Sequence, residues 1–261
     1  FNGDVLPMWV ADMDFRSPEP VIQALRERVD HGVFGYPGEP EPLRQVIVER
    51  LASLYRWEVG PEALLFIPGV VTGLNMACHG LGSQGDGALV QTPVYGPIRS
   101  APTNAGMQCQ EMELTRGADG CYTVDMARMR ATVTKATRLF LLCNPHNPVG
   151  RVFQREELAA MAELCAEHDL TIVSDEIHCD FCFEGHHHVP IATLSPETAA
   201  RTITLMAPSK TFNIAGLGFS VAIIPNPALR HAFQRGAQGL VPGVNIMGLV
   251  AALAAYRDGK A

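Results

Sequence analysis

Lys210, Asp175 and Asn147 are the residues of this chain best placed to do chemistry, because each follows a short apolar run. The lysine sits in Ala207-Pro-Ser-Lys-Thr-Phe-Asn213, the aspartate in Ser174-Asp-Glu-Ile-His178 and the asparagine in Asn144-Pro-His-Asn-Pro-Val-Gly150. Earlier in the chain, Pro68-Gly-Val-Val-Thr-Gly73 reads as a turn that opens a helix. A lysine amine can attack a carbonyl or take a proton, and a carboxylate can hold a protonated ring nitrogen. An amide can donate a hydrogen bond, and a helix N-terminus offers free N–H groups to a phosphate. Taken singly these segments have ordinary explanations. A lone lysine is usually a surface residue, a lone aspartate often caps a helix, and Asn-Pro is common turn chemistry. Their order along one chain is what points to a single site.

The elements that must position them can be read from hydropathy. Short, β-rich apolar runs occur at 64–67, 88–91, 139–143, 171–174, 203–206 and 219–224, bounded by turn residues. Helical patterns separate them, at about 42–55, 155–168 and 227–238, with an apolar, Ala-rich helix at 244–256. A further helix starts at Ser17-Pro-Glu-Pro-Val, with Ser17 as its cap and Gly32 as its stop. Near-continuous apolar strands alternating with helices predict a mainly parallel sheet covered on both faces, a three-layer α/β/α domain. Ligands of such sheets bind where the strands end. The runs ending at 67, 143, 174 and 206 would thus bring the helix N-terminus, the amide, the carboxylate and the amine to one rim. Residues 41–261 form this large domain, and residues 1–40 lie partly outside it.

With 261 residues, 47% of them hydrophobic, the chain can bury a substantial core. Its net charge of −7 and scattered basic residues argue against a nucleic-acid partner. No apolar run reaches the ~20 residues of a membrane span. Seven dispersed cysteines suit reduced thiols, hence a cytoplasmic setting, better than a disulfide framework. Cys179-x-x-Cys182 followed by His186-His-His188 could ligate zinc on paper. A strand over 177–183 would send the two thiols to opposite faces, so no metal is expected and the histidines read as a polar loop near the site mouth. Phe1 in place of a methionine, and a helix close to Ala261, suggest a piece of a longer protein.

Leu6-Pro-Met-Trp-Val-Ala-Asp-Met-Asp-Phe15, Gly32-Val-Phe-Gly-Tyr-Pro37, Thr92-Pro-Val-Tyr-Gly-Pro97, Asp175-Glu-Ile-His-Cys-Asp180 and Pro208-Ser-Lys-Thr-Phe-Asn-Ile-Ala-Gly-Leu217 span nearly the whole chain. Together they resemble the MalY/PatB-type cystathionine β-lyases of the aminotransferase class I/II superfamily, which are fold-type I enzymes dependent on pyridoxal 5'-phosphate (PLP). The resemblance implies that Lys210 bonds the cofactor's aldehyde and that Asp175 pairs with its pyridine N–H. Asn147 would donate to the phenolic oxygen, and Tyr95 would stack on the ring. Val70, Val71 and Thr72, with Ser209, would hold the phosphate, and Tyr36 would reach the phosphate of a neighbouring subunit in a homodimer. Trp9 and Ala11 would line the substrate's carboxylate side.

Two positions depart from the wider superfamily. His178 stands where aminotransferases use a tyrosine, and Gly218 stands eight residues after Lys210, where many relatives place a phosphate-binding arginine. The implied reaction is carbon–sulfur β-elimination from L-cystathionine or a related cysteine S-conjugate, giving pyruvate, ammonia and a thiol. A class I/II aminotransferase is one alternative. A protein that binds PLP without turnover is another, since the arginine that grips the substrate carboxylate in this superfamily has no counterpart here.

Overall fold

The computed structural model describes residues 10–183 and 185–259. In chain order the elements are α1 (Glu19–His31), α2 (Glu41–Tyr55), β1 (Leu64–Ile67), α3 (Val70–Leu81), β2 (Gly87–Thr92), α4 (Gly96–Asn104), β3 (Gln108–Glu113), β4 (Thr115–Arg116), β5 (Tyr122–Thr123), α5 (Met126–Thr132), β6 (Thr137–Cys143), α6 (Arg155–Glu167), β7 (Thr171–Asp175), α7 (Pro196–Ala200), β8 (Thr202–Met206), β9 (Ser220–Ile223), α8 (Pro227–Arg235) and α9 (Ile246–Asp258). Trp9 lies outside the described residues.

Seven strands form one sheet in the order β1-β9-β8-β7-β6-β2-β3, and β4 and β5 make a separate two-stranded ribbon. β3, β2, β6, β7 and β8 run parallel, while β9 is antiparallel to both β8 and β1. A second reversal restores direction, so β1 points the same way as the parallel set and only β9 opposes it.

Alternate side chains of each strand leave on opposite faces and meet different helices. On one face Val90, Leu141, Val173 and Leu205 pack with Leu74 of α3, Ile98 of α4 and Phe233 of α8. On the other, Leu89, Phe140, Leu142 and Ile172 meet Leu158 and Met161 of α6 and Met129 of α5. The same face continues under β1 and β9, where Phe66, Val221 and Ile223 meet Leu43, Ile47 and Leu51 of α2 and Ala252 of α9. The architecture is therefore the three-layer α/β/α arrangement expected from the alternating pattern.

Two local expectations are corrected. Ser17 does not cap α1: the helix has no side-chain cap, and Ser17 Oγ donates to the Asn213 carbonyl 3.0 Å away. Residues 177–180 form a turn and not a strand, so Cys179 and Cys182 are not set on opposite faces of a sheet. Cys182 Sγ instead lies 3.7 Å from the Cys179 carbonyl. The strand at 108–113 carries no apolar run, and only Met112 along it is buried, since it is a sheet edge.

Candidate active site

The C-terminal ends of β1, β8, β7 and β6 open onto one rim. At the first of them the chain passes through Pro68-Gly69 into α3. Gly69 is the N-cap and brings no capping side chain, and the first backbone bond of the helix is Gly73 N–H to the Gly69 carbonyl, 3.0 Å. The N–H groups of Val70, Val71 and Thr72 precede that bond and have no acceptor within the helix, which is the arrangement that binds anions. Val70 is buried, Thr72 half-buried and Val71 exposed.

Gly218 lies against this cradle. A β-carbon built on it would stand 3.3 Å from the Pro68 carbonyl oxygen, and its φ is +59°. The position thus faces the same loop that an arginine would serve in many relatives, in a backbone conformation that disfavours side chains.

β8 leads through Pro208 into a turn that carries Ser209 and Lys210, both half-buried. The turn is held by backbone bonds from Phe212 N–H to the Pro208 carbonyl and from Ile214 N–H to the Ser209 carbonyl, each 3.0 Å. Asn213 takes a left-handed φ of 54° and reaches back to the chain's beginning. Its Nδ2 donates to the carbonyls of Met13 and Phe15, 2.8 Å each, and its Oδ1 accepts from Met13 N–H at 3.3 Å. Ala11, in the adjoining segment, is exposed.

Asp175 is the last residue of β7 and is 4% exposed. Its Oδ1 accepts from Ile177 N–H at 3.1 Å. Burial drives its carboxyl up to about 7, Glu176 adds to the rise, and the Ile177 N–H and the Lys210 charge oppose it. His178, three residues on, is pushed down by burial and then by the positive charge of Lys210. Asp175 and His178 therefore each lie close enough to Lys210 to feel its charge.

Asn147 follows β6, half-buried, with its backbone carbonyl accepting from Tyr95 N–H at 3.0 Å. That bond ties the asparagine loop to the start of α4, where Tyr95 is 39% exposed. His146 turns inward: its Nε2 donates to the Pro93 carbonyl at 2.9 Å, and burial holds its pKa below the usual histidine value. Beside Asn147 and His178 opens a cavity of about 840 Å³ walled by Tyr122, Arg151, Phe181 and Phe183. Lys210 and Asp175 are not part of its wall. Tyr36 is fully exposed, on the stretch between α1 and α2, and touches none of this rim within the chain.

Two features lie beyond what spacing can show. Glu176, next to Asp175, is fully buried between Ser174 Oγ at 2.8 Å and His188 Nε2 at 2.7 Å. His188 is consequently a core residue, whereas His186 and His187 are exposed as a polar loop should be. Asp180, the second, joins Arg50 of α2 to Thr211 of the lysine turn. Among the described residues no group of three or more His, Cys, Asp or Glu is placed to hold a metal ion, and the seven cysteines are free.

The residues fit PLP on their own chemistry. A carboxylate this deeply buried, with one neutral donor as its direct partner, is costly unless a cation completes it, and a protonated pyridine nitrogen is such a cation. The unfilled N–H groups opening α3 would suit the phosphate end, and Lys210 would offer the amine. A mostly parallel α/β rim with these groups is that of the fold-type I PLP-dependent enzymes.

The chain belongs to the aminotransferase class I and II family, whose model matches residues 4–260. It is 44% identical to cystathionine beta-lyase PatB of Bacillus subtilis, over 98% of this chain and 66% of that relative. Among solved structures, OvoB superposes with a TM-score of 0.94 at 46% identity, covering 98% of this chain and 68% of the other. Cystalysin of Treponema denticola, which contains pyridoxal 5'-phosphate, superposes with a TM-score of 0.94 at 34% identity, over 98% and 65%. The chain thus spans about two thirds of the length of the proteins it matches.

Proposed function

We propose that this protein is a PLP-dependent carbon–sulfur β-lyase that cleaves L-cystathionine or a related cysteine S-conjugate to pyruvate, ammonia and a thiol. The observation that carries the reading is Asp175, buried without a cationic hydrogen-bond partner among the described residues and within the field of Lys210. The similarity to cystathionine beta-lyases directs the chemistry from that site toward sulfur.

When bound, PLP supplies a protonated ring able to accept the electrons left at the substrate Cα. Asp175 would hold the proton on the ring nitrogen. Lys210 Nζ would bond the cofactor's aldehyde and serve as the general base for the substrate Cα proton. Asn147 would donate to the phenolic oxygen, with His178 and Tyr95 completing the ring's surroundings. Val70, Val71 and Thr72 would hold the phosphate through backbone N–H groups, with the Ser209 hydroxyl. With Gly218 in place of a cation, this grip relies on neutral donors and the helix dipole. Ala11 would line the carboxylate side. Tyr36, solvent-exposed here, is available to a second copy's phosphate in a homodimer built around residues 1–40.

The test is the absorbance of purified protein with PLP, before and after L-cystathionine, with products identified. The expected result is a visible band that Lys210→Ala abolishes, and release of pyruvate with homocysteine. A keto acid without thiol release would instead assign an aminotransferase. Absence of a band in the parent would overturn the reading.

A further inference from the structure

Lys210 is anchored by a contact that none of the cofactor roles above uses. The hydroxyl of Thr211, the next residue, donates to Asp180 Oδ2 at 2.7 Å. The other oxygen of that carboxylate accepts from Arg50 Nη2 in α2. Both side chains of this ion pair are largely buried, at 21% and 16% exposure. The Arg50 guanidinium in turn lies over the Tyr256 ring of α9, 5.4 Å from its centroid. Tyr256 also meets Phe212, two residues after Lys210, edge-on at 6.3 Å. One carboxylate therefore joins three parts of the molecule: the lysine turn, the α2–α9 face, and the turn of residues 176–181 that carries His178.

Resting on the lyase reading of the site, we propose that Asp180 is a positioning residue that fixes the direction from which Lys210 meets the cofactor and substrate. A half-buried hydroxyl held by a carboxylate makes a charge-assisted bond, stronger than a neutral one. Lys210 has four rotatable side-chain bonds, so the backbone of its turn is what limits where Nζ can go. Asn213 fixes that turn at its far end, and Thr211 fixes it one residue from the lysine. Without the Thr211 bond, the backbone bonds of Phe212 and Ile214 still close the turn, but no side chain among the described residues ties its lysine end to the 176–181 turn, and Nζ can shift. Proton transfer at Cα depends steeply on such placement, since a misplacement of about 1 Å can cost about 100-fold.

The test compares Thr211→Val, which keeps shape but removes the donor, with Thr211→Ser, which keeps the hydroxyl. Each is loaded with PLP and followed by visible circular dichroism of the bound cofactor, kcat and KM for L-cystathionine, and thermal melting without cofactor. Thr211→Val is expected to bind PLP stoichiometrically, lose much of the visible dichroism, and drop kcat about 10- to 100-fold with little change in KM. Thr211→Ser is expected to restore the dichroism and kcat. Asp180→Ala, which removes the acceptor, should match Thr211→Val in the dichroism, even if loss of the Arg50 partner also lowers its melting temperature. Unchanged dichroism and kcat in Thr211→Val, with the parent active, would overturn the positioning role alone. So would a Thr211→Ser variant that behaves like Thr211→Val. A parent that shows no visible band overturns the lyase reading and this inference with it.

Discussion

Asp175 carries opposite consequences for stability and for function. Its carboxyl titrates at about 7 in the folded chain against an ordinary value of 3.8, chiefly because it is buried. Between those two values the cofactor-free folded state holds a proton that the unfolded chain has released. Folding stability therefore falls as pH rises from about 4 to about 7 and stays lower above it. A displacement of this size corresponds to an effect on the order of 4 kcal/mol. Asp175→Asn removes the liability, so the cofactor-free variant should melt higher than the parent at pH 8, with the gap closing toward pH 4. The same substitution should abolish β-elimination, because a neutral amide cannot hold the ring nitrogen's proton. Melting curves across pH, with and without PLP, check both halves. A parent whose stability rises from pH 4 to 7 without cofactor would contradict the assignment of the titrating group.

At the scale of elements, the anion cradle depends on how closely α3 sits on the sheet. Gly73, in its first turn, is tightly packed: a β-carbon there would stand 2.7 Å from Ile67 Cδ1 and 2.9 Å from Leu205 Cδ2, buried methyls that would have to shift. Alanine would favour the helix by about 0.5–1 kcal/mol, but overpacking costs about 1–3 kcal/mol. Packing should win. Gly73→Ala is expected to lower stability by about 1–2 kcal/mol and to weaken PLP binding, because the free N–H groups of Val70 to Thr72 move with the helix. Urea unfolding and a PLP titration by fluorescence would separate the two effects. A variant with unchanged PLP affinity would show that the cradle does not depend on this contact.

The whole molecule distributes its work between rim and core. Phe140, on β6, is fully buried among the side chains of α5 and α6, away from the α3 face. Phe140→Ala should cost about 3–5 kcal/mol of unfolding free energy yet leave PLP affinity unchanged at temperatures where the variant stays folded. Much of this architecture was legible in the sequence. The six apolar runs all appear as strands, because parallel strands covered on both faces leave a near-continuous apolar imprint. The polar edge strand at Gln108–Glu113 left none, since one neighbour and a solvent face do not demand apolar residues. Lys210, Asp175 and Asn147 could be placed at the rim because each lies at the end of a strand or in the turn just after it. The Glu176–His188 and Asp180–Thr211 pairs could not be, because nothing local marks residues 12 and 31 positions apart as partners. Gly218 stands out in the sequence as a missing arginine, but its contact with the Pro68 loop arises only from β9 pairing with β1.

That reversed strand has a consequence of its own. Lying between β1 and β8, β9 sets their ends two strand spacings apart, about 10 Å, with β7 and β6 at about 15 and 19 Å from β1. The rim is a ruler graduated in hydrogen bonds, with anion cradle, amine, carboxylate and amide at successive marks. Mutation can change what grows from a mark, or the loop behind it. It cannot re-space the marks except by a whole strand, in steps of about 4.8 Å. Substrate preference on this scaffold can therefore drift by side chain while the distances between its chemical groups stay fixed by the backbone.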